Sequence, residues 1–157
     1  MKILRVYLDT SVFGGCFDAP FEADSYRVFS AAHASKLVVL VSPLVVDELV
    51  LAPDPVRRIL ADLPVTNVEP VKIDAEVLVL RDAYLLAGVL SDKWRNDALH
   101  VAAATVARAD AIVSWNFHHI VRLDKIKAFN AVNLLNGYGL LTIISPKECV
   151  TDDTPDD

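Results

Sequence analysis

Three short β-prone runs, ILRVYL at 3–8, LVVLV at 37–41 and AIVSW at 111–115, are separated by long stretches with helical spacing. Largely apolar runs, of which LVVLV is purely so, suit strands buried on both faces of a parallel sheet. Parallel neighbours need crossover connections, and the intervening stretches supply them. Glu22 to Lys36 places Tyr26, Phe29, Ala32 and Ala34 at broadly helical intervals behind Pro20. Ser42-Pro43 reads as an N-cap followed by proline in the first turn, opening a helix through LVVDELVLA that Pro53 and Pro55 end. Further helices are expected from Val56 to Leu63, from Asp74 to Leu90, over the alanine-rich NDALHVAAATVAR at 96–108 and over residues 122–136. The stretch PVTNVEPVKI and residues Leu140 to Ile144 leave room for further strands. This alternation predicts an α/β layer architecture around a mostly parallel central sheet.

The 157 residues are a length for one domain, and 54% apolar against 23% charged residues argues against disorder in its body. No apolar run approaches the roughly 18–20 residues that cross a bilayer, and Asp9 interrupts the N-terminal stretch where a secretion signal needs an apolar core. A cytoplasmic protein with no membrane partner is expected. Cys16 and Cys149 lie far apart without a CxxC or Cys/His spacing, so neither a disulfide framework nor a zinc site is indicated. The net charge of −6, from 21 acids and 15 bases, argues against holding nucleic acid by overall positive charge. Four of those acids fall in TDDTPDD at 151–157, a segment with the composition of a disordered end. The folded domain is therefore taken as 1–150, which is close to charge balance and leaves a local nucleic-acid groove open.

In an open parallel sheet, functional groups gather beyond the carboxyl ends of the strands. Asp9 ends the first run and is followed by Thr10 and Ser11; it either caps the next turn or offers a carboxylate to a cation. Glu48 lies among Val45, Val46, Leu49 and Val50, either as the edge of a solvated face or as a carboxylate held at a cleft. Asp97 opens the alanine-rich helix, where the helix dipole favours an acid in any case. The alanines behind it allow close packing on the sheet, which would carry Asp97 to the sheet's end. Asn116 follows the third run as an ordinary turn residue or as a fourth polar group of the same site. A single explanation covers all four. Carboxylates gathered in one cleft repel unless a cation neutralises them, and oxygen ligands without a His or Cys cluster point to Mg²⁺ or Mn²⁺.

In their order and spacing, VYLDTSVF at 6–13, SPLVVDELV at 42–50, NDALHVAAATVARADAIVSWNF at 96–117 and TIISPKE at 142–148 resemble the PIN domain family. Within it they are most similar to the VapC-like toxin ribonucleases of toxin–antitoxin pairs. The resemblance implies a PIN-like three-layer α/β/α sandwich, one or two bound divalent ions, and hydrolysis of RNA phosphodiester bonds by metal-activated water. Carried over by position, Asp9, Glu48 and Asp97 are the acidic ligands, and Asn116 completes the catalytic set where many members have an acid. An amide accepts a metal bond but brings no charge. The resemblance also implies a cognate antitoxin and a homodimer, with apolar helix surface around 22–63 serving both. Lys93, Arg95, Arg122, Lys125 and Lys127 lie near the site in sequence and are candidates for RNA phosphates. Trp94 and Trp115 are candidates for base stacking, with Trp115 expected in or beside the core. His100, His118 and His119 are expected in structural or solvent-facing roles.

Two rivals stay open. A PIN-like RNA- or protein-binding module without catalysis is suggested by Asn116 and the acidic balance. A haloacid-dehalogenase-like phosphatase is suggested by LDTSV, although that motif needs a second acid two residues on, where Ser11 stands.

Overall fold

The strands β1 (Leu4–Leu8), β2 (Leu37–Val41), β3 (Val68–Pro70), β4 (Ala111–Val113) and β5 (Ile143–Ile144) form one sheet, all parallel, in the order β3-β2-β1-β4-β5. The computed structural model describes residues 2–149, so the expected acidic tail at 151–157 lies outside the described residues. β1 is central, with Val6 opposite Val39 on one side and Ala111 on the other. Val6, Tyr7, Leu8, Val39, Leu40, Ile112 and Val113 are fully buried, as strands covered on both faces require.

Between the strands run α1 (Thr10–Gly15), α2 (Glu22–His33), α3 (Pro43–Val50), α4 (Asp54–Ala61), α5 (Ala75–Leu86), α6 (Arg95–Val106) and α7 (Leu123–Leu135), with α8 (Pro146–Cys149) after β5. The chain moves outward from β1 to β2 and β3, then returns across the sheet to β4 and β5. Right-handed crossovers therefore place α1–α4 on one face and α5–α7 on the other. The contacts agree, with α1 packing on α2, α3 and α4, and α5 packing on α6 and α7. This is the expected three-layer α/β/α arrangement. It also creates a topological switch point, because β2 and β4 leave β1 in opposite directions, and a crevice opens between the carboxyl ends of β1 and β4.

Local chemistry explains most boundaries. Ser42 caps α3 by accepting from the Val45 N–H at 3.3 Å, and Asp74 caps α5 by accepting from the Val77 N–H at 3.2 Å. The helix expected to run to Leu90 stops at Leu86, because Gly88 takes a left-handed φ of +75° and the Val89 N–H turns back to the Tyr84 carbonyl. Pro55 sits in the first turn of α4, so that helix begins at Asp54 rather than Val56. β4 ends at Val113, two residues short of the expected run, so that Ser114 faces Asp9 across the crevice while Trp115 enters the core. The helix α1 was not expected from the sequence. It is held by burial of Val12, Phe13 and Gly15.

Candidate active site

Asp9 stands at the N-cap position of α1, where β1 ends, yet its side chain caps nothing. Instead its Oδ1 accepts from the Ser11 hydroxyl at 2.5 Å and its Oδ2 from the Ser114 hydroxyl at 2.8 Å, across the crevice between β1 and β4. The Ser11 Oγ in turn accepts from the Trp115 N–H at 2.9 Å, so two hydroxyls stitch the two strand ends together around one carboxylate. Asp9 is only 4% exposed and forms no ion pair with any described Lys or Arg. Burial pushes its carboxyl above the ordinary value; His100 and the two serines pull it back in part, and the negative charge of Asp97 pushes it further up.

Glu48 projects from α3 and is held by groups on two other elements. Its Oε1 accepts from the Thr10 hydroxyl at 3.1 Å and lies 2.5 Å from His100 Nε2. His100, on α6, is 2% exposed, and its Nδ1 lies 2.8 Å from the Tyr7 hydroxyl, which is 2.7 Å from the Ser42 Oγ. His100 Nε2–H donates to the Glu48 carboxylate, the Tyr7 hydroxyl joins Nδ1 to the Ser42 Oγ, and the Ser42 Oγ accepts from the Val45 N–H. A continuous buried chain of hydrogen bonds thus runs from the N-cap of α3 through β1 and α6 back to α3. Burial alone would raise the Glu48 carboxyl, but the His100 hydrogen bond and electrostatic pull and the Thr10 hydroxyl outweigh it, leaving Glu48 below the ordinary value.

Asp97 lies in the first turn of α6, three residues before His100 and so on the same helix face. Its Oδ2 accepts from His119 Nδ1 at 2.9 Å. One face of α6 therefore carries both Asp97 and the histidine that grips Glu48, which brings the surroundings of all three acids to the same end of the sheet. Among the described residues, no three Asp, Glu, His or Cys side chains converge closely enough to ligate a single ion as they stand.

The remaining expected residues divide. The Asn116 Oδ1 accepts from the backbone N–H of His118 at 3.2 Å and of His119 at 2.9 Å, so its carbonyl closes a turn that sets His119 against Asp97. Trp115 is in the core, stacked on Phe21 at 4.2 Å and donating from Nε1 to Ser25 at 2.8 Å. Of the cations, Arg95 pairs with Asp92 and Arg122 with Asp124, while Lys125 donates to the Val89 carbonyl at 2.6 Å. Lys93 lies over the Trp94 ring. Sequence reasoning assigned no site role to His100 and His119. The only available signal for His100 was its spacing from Asp97, and nothing local announced Tyr7 as its partner.

A PIN domain family model matches residues 5–118. Among solved structures, a chain in the crystal structure of VapBC2 from Rickettsia felis bound to a DNA fragment from their promoter superposes with a TM-score of 0.57 at 16% identity, covering 90% of this chain and 98% of that one. A search of curated proteins found no match to the sequence.

Proposed function

The chain belongs to the PIN domain family, and from that membership we propose that it is a divalent-metal-dependent endoribonuclease acting as the toxin of a toxin–antitoxin pair in the cytoplasm. PIN domains are in general nucleases. The observation that carries the reading is the Asp9 carboxylate, buried at the switch-point crevice without a Lys or Arg beside it and in the field of Asp97. Such a pair is stabilised by a hard cation, and Mg²⁺ or Mn²⁺ is commonly held through one or two carboxylates together with waters. The donor chemistry therefore fits a divalent ion at Asp9 and Asp97, with Glu48 alongside.

When bound, the ion supplies a polarised water and neutralises charge developing on the phosphate. The chain's own residues do the rest. Ser11 and Ser114 fix both Asp9 oxygens, His119 fixes Asp97, and Thr10 with His100 fixes Glu48 at the rim, where its second oxygen is left to orient a water. With its oxygen committed to the turn, Asn116 acts by positioning His119 rather than as a ligand.

The test is cleavage of a broad RNA panel by partner-free protein with Mg²⁺ or Mn²⁺, together with Mn²⁺ binding by calorimetry. Asp9→Asn and Asp97→Asn are expected to abolish both. A wild-type protein that cuts nothing, with metal binding unchanged in both variants, overturns the reading. The commitment of Asn116 to its turn favours one alternative, a binding module without catalysis, which metal-dependent cleavage lost in Asp97→Ala excludes. For partners, exposed Val46, Val50 and Leu51 at the end of α3, with Val65, support docking of an antitoxin or a second copy of the chain. Light scattering over a concentration series checks self-association, and a monomer throughout counts against the homodimer.

A further inference from the structure

Beside Asp97 lies a cavity of about 280 Å³ between the turn that follows α5 and the segment joining β4 to α7, lined by Val89, Trp94, His118, His119, Arg122 and Lys125. It is near the lower end of the roughly 300–1,000 Å³ usual for small-molecule pockets, enough for one nucleotide and too small for a folded element. Trp94 ends the 3₁₀ turn Asp92–Trp94 that leads into α6, and its ring lies 4.3 Å from that of His119 at a tilt of 32°. Trp94 is 38% exposed, a high value for a tryptophan that does not complete the core. His119 is not free to turn away, because its Nδ1 is bonded to Asp97 and its backbone N–H to Asn116. Lys125 is anchored by the Val89 carbonyl through one of its three N–H donors, which leaves the other two for a ligand.

A fixed aromatic pair and an anchored ammonium in one cavity are complementary to a nucleotide, with the base stacked on the pair and the phosphate on the ammonium. We propose that this cavity is a nucleotide-binding subsite for single-stranded RNA: one unpaired base stacks on the outer face of the Trp94 ring, whose other face is backed by His119, and Lys125 takes its phosphate. The inference rests on the preceding reading that RNA is the substrate, and it adds where one nucleotide sits relative to Asp97. The His119–Asp97 hydrogen bond ties the platform directly to the acid, so a seated base registers the adjoining phosphodiester against the crevice. Lys93 lies over the same ring, 4.9 Å from its centre, so a base seated there takes its place.

The experiment uses the full chain in EDTA, so that nothing is cut, and follows tryptophan fluorescence during titration with a short single-stranded oligoribonucleotide, an abasic strand of equal length, and inorganic phosphate. Saturable quenching by the oligoribonucleotide alone is expected. Trp94→Leu should weaken binding about 5- to 150-fold and lose the quenching, Trp94→Phe should recover most of the affinity, and Lys125→Gln should lower the salt dependence by about one phosphate contact. Should Trp94→Leu fail to fold, the wild-type quenching and the Trp94→Phe affinity decide. Equal binding of the abasic strand, or unchanged affinity in Trp94→Leu, overturns the subsite. Cleavage with Mg²⁺ or Mn²⁺ separates the two readings. A wild type that cuts RNA with a KM indifferent to Trp94 refutes the subsite alone, while quenching that needs Trp94 in a protein that cuts nothing refutes the nuclease alone.

Discussion

Asp9 shows how a single carboxylate is prepared at a cost to the fold around it. Its charge is disfavoured by burial, and His100 and two hydroxyls offset that only in part. Asp9→Asn keeps the shape and removes the buried charge, with Oδ1 accepting from one serine and Nδ2 donating to the hydroxyl oxygen of the other, so in metal-free buffer it is expected to stabilise the chain by about 1 kcal/mol, a rise in Tm of about 2–4 °C at this size. Scanning calorimetry in EDTA checks this, and an unchanged or lowered Tm contradicts it. Tyr7→Phe has the opposite sign. It removes the hydroxyl between Ser42 and His100, leaves buried polar atoms unpaired, and should cost about 1–3 kcal/mol in urea denaturation. Asp9 and Asp97 stood out in the sequence as acids at the ends of apolar runs, and Glu48 as an acid inside an apolar helix. His100 did not, because what defines it is a hydroxyl 93 positions away in β1.

The elements themselves were legible in proportion to how far they rely on their own sequence. α3 and α5 carry their caps, Ser42 and Asp74, and the strands β1 and β2 carry their apolar runs. By contrast α1, TSVFGG, contains two glycines and two β-branched residues, a poor helix former by propensity. It forms because its Val12 and Phe13 are buried and because Gly15 lets α2 and the end of β4 approach closely. A Cβ at Gly15 would lie 2.5 Å from the Ser25 Oγ and 2.7 Å from Trp115 Nε1, the two atoms of a hydrogen bond. Gly15→Ala is therefore expected to break that bond and destabilise by about 1–3 kcal/mol. A shift of Trp115 fluorescence toward that of solvent-exposed tryptophan, with a lowered denaturation midpoint, is the readout; unchanged emission would show that the joint has slack.

Across the whole molecule, the parallel sheet followed from the alternation of strand and helix, whereas the strand order did not, because nothing local states which side of β1 a distant strand will take. The structure shows what secures that order at the amino end of the sheet. Arg5 of β1 reaches Glu69 of β3 with Nε at 3.0 Å and Nη2, donates to the Arg108 and Ala107 carbonyls, and offers its backbone N–H to Asp110 at 2.8 Å. The Arg5 side chain holds the Glu69 carboxyl below the ordinary range, and the Arg5 backbone N–H, with help from Lys2, does so for Asp110. Both carboxyls bind protons more readily in the unfolded chain, so their contribution is complete above the unfolded value of about 4 and is lost as the pH falls through the folded values. Folding free energy should decline over that acid range; Arg5→Met is expected to flatten the part due to Glu69 and Asp110→Asn the part due to Asp110, and denaturant melts at successive pH values measure both. At the opposite end of the sheet, the Asp9–Ser114 hydrogen bond spans 105 positions. A ribosome making this chain completes Asp9 long before the serine that closes the crevice over it, so for most of translation this carboxylate exists without its partner across the sheet. A product stalled ahead of Ser114 carries Asp9 without the hydroxyl that fixes its Oδ2, so the geometry of this end of the sheet waits on the completion of β4 and the residue after it.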